Sequence, residues 1–337
     1  MLKLRAAVAK IRVKIIARGQ DGYTWRHQIP GKAATWNHCL FLFNKEERNY
    51  DWLVVIDDIS RSYWTPSEQL ACADEHTLLV TSEPPTITRY GTKFVDQFAH
   101  VLTSHPNEAL PHAQRIYSQT GNLWFNGHSF DELVSRDPPK KDGQLSTVCS
   151  NKQQKHTIHN DRYQFTQWLH SRIPDLDLYG HGTRFIQHKY TALDSYKFHL
   201  AIENYIGLHH WTEKLSDPYL SLTIPIYYGC PNIADYFPED SYVLIDINQP
   251  EDALDTISSV LSDPNAYAKR LDALKEANHR VLHQYNLIAM LDKLISEKFN
   301  PKLKASQRPL YGRKQMRFRH PGDLISHIRW SLQKSLR

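Results

Sequence analysis

Short runs of aliphatic and β-branched residues, each closed by a polar or proline-containing break, recur through the first half of the chain. They fall at Trp52–Ile56, Thr77–Thr81 and Ala99–Thr103 and predict buried strands of an α/β sheet. The stretch Asp137–Gly143 joins two adjacent prolines to charged residues and a glycine, which leaves little to pack. It predicts a linker between a first domain, 1–138, and a second, 144–300. Beyond it lie an apolar run at Leu145–Cys149, a helix over Asp161–Ser171 and strands at Phe198–Ile202, Ile224–Tyr228 and Tyr242–Ile245. Pro250 suits the first turn of a helix with Leu254, Ile257 and Leu261 on one face; Pro264 opens a longer helix with Leu271, Leu274 and Val281. Strand and helix alternate in both halves, which predicts parallel sheets covered by helices. A last segment, 301–337, ends in Leu324, Ile328, Leu332 and Leu336 at four-residue spacing. That spacing predicts an amphipathic helix that either docks on the body or lies on a membrane.

Bulk properties narrow the picture further. A chain of 337 residues exceeds what one core usually serves, in keeping with two domains. Eight Trp and eighteen Tyr offer wide apolar faces with a polar handle, which suits a carbohydrate site. Cys39, Cys72, Cys149 and Cys230 stand far apart with no C-x-x-C pair, so neither a disulfide framework nor a zinc site is signalled. No run of about eighteen apolar residues occurs, which predicts a cytoplasmic protein without a membrane span. The net charge of +5 conceals an uneven distribution: +6 over residues 1–20, +9 over 301–337 and −10 on the body between. The two basic ends would suit peripheral contact with an anionic membrane at its inner face; the acidic body argues against nucleic acid.

The most informative stretch runs from Tyr196-Lys-Phe-His-Leu-Ala-Ile-Glu-Asn204 through Trp211-Thr-Glu-Lys-Leu215 to Thr223-Ile-Pro-Ile-Tyr-Tyr-Gly229. An apolar strand ends in Glu203 and Asn204, a helix begins near Thr212, and a second apolar strand ends at Gly229. Thr212 is a good N-cap, and the free N–H groups of a helix start form an anion site to which Lys214 adds a full positive charge.

The order and spacing of these residues resemble the signature of the family-10 glycosyltransferases, the α-1,3/4-fucosyltransferases: Y-K-F-x-L-x-F-E-N, then T-E-K, then a V/I-P-V/I-x-x-G strand. Pro231–Asp246 resembles a further family segment, and Ser150-Asn151 with Arg162 and Leu169 resembles the family's S-N, R, L pattern. Coverage runs from about residue 146 to 296. The resemblance implies the GT-B architecture, two Rossmann-like domains facing across a cleft, here with a basic helical tail. It implies that Arg162 and Lys214 contact a diphosphate, Glu213 the ribose and Asn204 the nucleotide-sugar, with Glu203, Ser150 and Asn151 nearby. Ser82-Glu83-Pro84-Pro85 resembles the family's E-S-P motif and makes Glu83 the general base of an inverting transfer. His209-His210 replaces the usual acid or Gly followed by Tyr, a departure that puts His210 beside the donor. The implied reaction moves L-fucose from GDP-fucose to a glycan hydroxyl, with no metal and no cofactor, in bacterial surface polysaccharide or lipopolysaccharide synthesis. The Asp175-Leu-Asp177 pair has metal-site spacing but reads as surface. Two rival readings follow from the same residues: the same scaffold with another nucleotide-sugar, motivated by His209 and His210, and a non-catalytic protein binding nucleic acid or lipid through its basic ends.

Overall fold

The computed structural model describes residues 9–17, 22–59, 68–121, 123–151 and 157–335. The first unit contains β1 (Ile11–Ala17), α1 (Gly22–Arg26), β2 (Thr35–Trp36), β3 (Cys39–Leu42), β4 (Trp52–Ile56), β5 (Glu68–Gln69) and β6 (Thr77–Val80). It continues through α2 (Thr92–Val95), β7 (His100–Thr103) and β8 (Arg115–Tyr117). Its main sheet has the order β2-β3-β1-β4-β6-β7-β8, parallel throughout except for the β2–β3 pair at one edge. Trp52–Ile56 is buried along its whole length, as a strand covered on both faces must be.

β1 occupies an interior position although it carries Arg12 and Lys14. Lys14 is fully buried and gives both oxygens of Glu68 a hydrogen bond of 2.9 Å, with Arg48 and Tyr50 completing the shell around that carboxylate. The backbone N–H of Arg12 is held by Asp51 and its side chain by the carbonyl of Asn49. The charge of Lys14 is therefore spent inside the fold, whereas the side chain of Arg12 stays partly exposed; Lys3, Arg5 and Arg18 of the same basic segment lie outside the described residues.

The second unit follows as α3 (Phe130–Ser135), β9 (Gly143–Val148), α4 (His159–His170), β10 (Leu176–Tyr179), β11 (Tyr196–Ile202), α5 (Glu213–Leu220), β12 (Ile224–Tyr228), β13 (Val243–Leu244), α6 (Pro250–Ser262) and α7 (Ala266–His283). Its five strands form a wholly parallel sheet of order β10-β9-β11-β12-β13. The order reverses beside β9, and open α/β sheets bind ligands at such points, beyond the carboxyl ends of the strands.

The chain passes between units at other places than the proline stretch. Leu123 packs in the core of the first sheet, whereas Trp124, Phe130 and Leu133 already belong to the second core. α8 (Leu287–Lys298) crosses back, burying Leu287, Ile288, Leu291 and Ile295 against the first sheet. The stretch at 137–143 is itself pinned: Lys141 donates to the carbonyls of Asp194 and Ser221 at 2.8 and 2.7 Å.

The tail returns to the first unit. β14 (Pro309–Leu310) pairs antiparallel with β5, and α9 (Arg313–Arg319) sets Met316 into the same core as Leu310. α10 (Pro321–Ser335) docks by its start, where Asp323 accepts from the N–H of Lys93 at 3.1 Å, and leaves Ile325, Ile328 and Leu332 about half exposed. No helix among the described residues is long and apolar enough to cross a membrane.

Candidate active site

Two cavities meet at the first turn of α5. One lies between the units and is lined by Asp57, Ser82 and Glu83 on one wall and by Asn204, His210 and Lys214 on the other. The second, behind it in the second unit, is lined by Ser150, Arg162, Lys189, Glu213 and Lys214. Its wall includes Val148, Cys149 and Ser150 at the end of β9 and Leu200 to Ile202 at the end of β11, where the sheet topology places a ligand. Gly121 forms part of the inter-unit cavity with φ +62, and a Cβ there would stand 2.7 Å from the Cα of Leu287; only glycine lets the crossing chain approach α8 so closely.

The start of α5 is built by Glu203. This carboxylate is fully buried and accepts from the backbone N–H and the hydroxyl of Thr212, each at 2.8 Å. Thr212 in turn caps the helix by accepting from the N–H of Lys214. Burial raises the Glu203 carboxyl, against the pull of Lys214 at 3.8 Å. Glu203 lines neither cavity, and its contacts fix the helix start. Gly229 permits this packing, because a Cβ there would sit 2.6 Å from the Glu203 Cγ. Asn151 is exposed and likewise lines neither cavity.

Arg162 projects from α4 and its guanidinium donates to the Ser150 hydroxyl at 3.3 Å. Lys214 donates to Glu213 at 3.0 Å. A third cation, not foreseen from the sequence, stands on the far side of Glu213: Lys189, with its ammonium 3.5 Å from Glu213 and 2.8 Å from Asp217. Burial alone would raise Glu213, but Lys214 and Lys189 outweigh it and hold the carboxyl well below the usual range. Lys189 opens a short 3-10 turn, Lys189–Ala192, before β11, with no motif to announce it. Replacing it with Ala strands the buried Asp217 carboxylate, so an unfolding free energy lower by about 3 kcal/mol is expected in urea titrations. The Lys189→Met/Asp217→Asn double variant should recover most of that loss.

Four polar atoms of residues lining these cavities have no partner among the described residues: Trp25 Nε1, Asn204 Oδ1, His210 Nε2 and Arg162 Nε. Buried polar groups are almost always paired, so unsatisfied ones converging on a cleft are the mark of a site that pairs them with a ligand. His210 bridges the units, with Nδ1 3.2 Å from the Ser104 hydroxyl. Burial brings its imidazole down to about 3, so it is neutral at physiological pH. His209 has φ +63 and turns away: its N–H donates to Asn232 at 2.8 Å and its ring meets Tyr117 edge-on. The two adjacent histidines thus diverge, and no metal-binding cluster occurs among the described residues.

Buried neutral histidines carry a pH signature. His199 and His210 fall to about 3 and His105 to about 4, in each case through burial first. Between those values and about 6.5 the unfolded chain binds protons that the folded one refuses, so these residues favour unfolding increasingly as pH drops, by roughly 1 kcal/mol per pH unit each. Glu203 acts in the opposite sense. The measurement is therefore differential: the loss of stability between pH 7 and pH 5 should be smaller in His199→Asn than in the parent, and an equal loss would contradict the assignment.

The carboxyl-terminal half decides the family. Residues 138–290 match the model for glycosyltransferase family 10 (fucosyltransferase), carboxyl-terminal domain. That stretch of the chain is a family-10 glycosyltransferase domain. The chain is 40% identical over 92 residues to the alpha-(1,3)-fucosyltransferase FucT of Helicobacter pylori, covering 27% of this chain and 19% of that protein. It is 37% identical over 257 residues to GDP-fucose protein O-fucosyltransferase 3 of Danio rerio, covering 70% of this chain and 52% of the relative. It thus spans about half of that relative and a fifth of the other. A solved structure of an alpha1,3-fucosyltransferase with GDP-fucose superposes with a TM-score of 0.51 at 18% identity, over 90% of this chain and 95% of that one. At that identity the likeness speaks for the fold, which is GT-B.

Proposed function

We propose that this chain is an inverting, metal-independent fucosyltransferase that moves L-fucose from GDP-fucose to a hydroxyl of a glycan acceptor. One observation carries the reading: Arg162, Lys214 and Lys189 surround the capped start of α5 in two joined cavities, with Glu83 on the wall opposite. Negative charge builds on the diphosphate as the glycosidic bond breaks. Cations held by Glu213, Asp217 and Ser150, together with the helix N–H groups, stabilise that charge without a divalent ion. Asn204 offers its unpaired Oδ1 as an acceptor to a sugar hydroxyl, and His210 offers its unpaired Nε2 to a sugar hydroxyl or a phosphate oxygen. Glu83, exposed at the end of β6, takes the proton of the acceptor hydroxyl as that oxygen attacks the anomeric carbon from the face opposite the leaving group. The names of both curated relatives, each a fucosyltransferase, support fucose as the sugar.

The place of action in this reading is the inner face of a bacterial membrane, in surface polysaccharide or lipopolysaccharide synthesis. Its support is the tail, where Ile325, Ile328 and Leu332 stay exposed on α10 beside basic Arg329. The experiment is mass spectrometry of products from a panel of nucleotide-sugars, glycans and peptides, with and without a chelator. Fucosylated glycan from GDP-fucose in the presence of chelator is expected. Product only from another donor overturns the choice of sugar, product only on peptides overturns the acceptor class, and silence under chelation overturns metal independence.

A further inference from the structure

β4 ends at Ile56, and the next residue, Asp57, takes φ +63. This is the left-handed region, which side chains other than glycine seldom occupy and which Asp and Asn tolerate best. Such backbone persists where the surroundings hold it, and here the surroundings are explicit. The Asp57 backbone N–H donates to the Val80 carbonyl at 2.9 Å, tying the end of β4 to β6. Its carboxylate accepts from the Ser82 N–H at 2.8 Å, from the Ser82 hydroxyl and from the Tyr90 hydroxyl. Two of these bonds hold Ser82, the residue next to Glu83. The Glu83 carbonyl is fixed from the other side by His105 Nε2 at 2.7 Å, and the His105 ring meets Tyr90 edge-on at 5.5 Å.

We propose that Asp57 is a positioning residue that acts through Ser82 to hold Glu83 at the acceptor hydroxyl, and that the tail braces this arrangement from behind. The inference rests on the reading of Glu83 as the base. Asp57 lines the same cavity as Glu83, and its carboxylate oxygens are taken by Ser82 and Tyr90, which makes it a support of the loop that carries Glu83. The brace is Arg313 at the start of α9. Its guanidinium lies over the Tyr90 ring at 5.2 Å, its N–H donates to Asp58 Oδ1 at 2.9 Å and its Nε stands 3.3 Å from Asp58 Oδ2. Two consecutive aspartates thus face opposite ways, Asp57 toward the loop of the base and Asp58 toward the tail. Positioning matters here because a proton acceptor displaced by about 1 Å loses on the order of a hundredfold in rate.

The test uses the left-handed backbone to separate geometry from strain. Asp57→Gly removes the side chain at a φ that glycine adopts freely; Asp57→Asn keeps an acceptor for the Ser82 N–H, a donor for its hydroxyl and tolerance of the conformation. In Asp57→Gly, kcat should fall about a hundredfold while GDP affinity by calorimetry stays within about threefold. Asp57→Asn should recover at least about tenfold of that loss. In a Glu83→Gln background, Asp57→Gly should have no further effect on the residual rate, since a residue acting through Glu83 has nothing left to position. Tyr90→Phe, which removes one of the bonds and leaves the fold intact, should give a smaller loss of the same kind. Full turnover in Asp57→Gly, a parallel fall in GDP affinity, an Asp57→Asn variant no better than Asp57→Gly, or an undiminished effect without Glu83 would each overturn the inference. An unimpaired Glu83→Gln enzyme would instead remove the reading beneath it.

Discussion

Glu83→Gln should lower fucosyl transfer by about a thousandfold while leaving GDP-fucose binding nearly unchanged. General base catalysis is worth on the order of 10²–10⁴ in rate, and the amide keeps the shape of the carboxyl without its ability to take a proton. The location makes the effect selective. Glu83 stands at the end of β6 in the first unit, whereas Arg162, Lys189, Glu213 and Lys214 all lie in the second. In the proposed reaction a change at Glu83 therefore reaches the acceptor step and not the diphosphate. The measurement is steady-state transfer paired with calorimetric titration of the donor. Retained turnover would move the base elsewhere, and Asp57, the nearest other carboxylate on that wall, would be the first place to look.

The second large effect is expected at the diphosphate. Lys214→Ala or Arg162→Ala should reduce kcat/KM for the donor by about a hundredfold or more, because each removes a fixed charge from the place where negative charge develops. Arg162→Lys should recover only part of its loss, since the ammonium keeps the charge and loses the planar fork that holds two phosphate oxygens. Lys214 has a further consequence. It is one of the two ammonium groups flanking Glu213, so its removal leaves that buried carboxylate to Lys189 alone. Part of the loss in Lys214→Ala is therefore disorganisation of the helix start. Urea denaturation of Lys214→Ala beside its kinetics separates the two: a hundredfold kinetic loss at the parent's stability would assign the effect to the charge lost at the diphosphate.

The sequence disclosed its second half better than its first, and the reasons are physical. Trp52–Ile56 and Ile224–Tyr228 are buried on both faces, so an uninterrupted apolar run marked their limits. β1 was hidden because Arg12 and Lys14 interrupt its apolar pattern. The charge of Lys14 is answered by Glu68, a partner 54 residues away that no local pattern reveals. The crossing of α8 to the first unit was equally silent, since an amphipathic helix records that one face is covered and not by what. At the site, Thr212 and Lys214 were legible because capping and charge act locally, and Glu213 through its place in the T-E-K motif. Lys189 and Asp57 were not, because their importance arises only when the fold brings Lys189 against Glu213 and Asp57 against Ser82. Glu203 was legible as a motif residue but not as a buried support: a glutamate at a strand end looks the same from the sequence in either role.

These contrasts bear on the departure at His209 and His210. Adjacent in the chain, they separate in space because His209 adopts a left-handed backbone, which sends His210 into the cleft and His209 toward Asn232 and Tyr236. The cleft thus receives one neutral imidazole in place of the phenol that the family pattern supplies.

The central claim is that side-chain cations and the start of α5 hold a nucleoside diphosphate with no divalent ion. Its most direct test is calorimetric titration of GDP into the protein in excess EDTA, with the Arg162→Ala/Lys214→Ala variant alongside. Tight binding by the parent, indifferent to the chelator, is expected, with binding weakened by at least about a hundredfold in the variant. Binding abolished by EDTA, or GDP affinity unchanged in the variant, would contradict it.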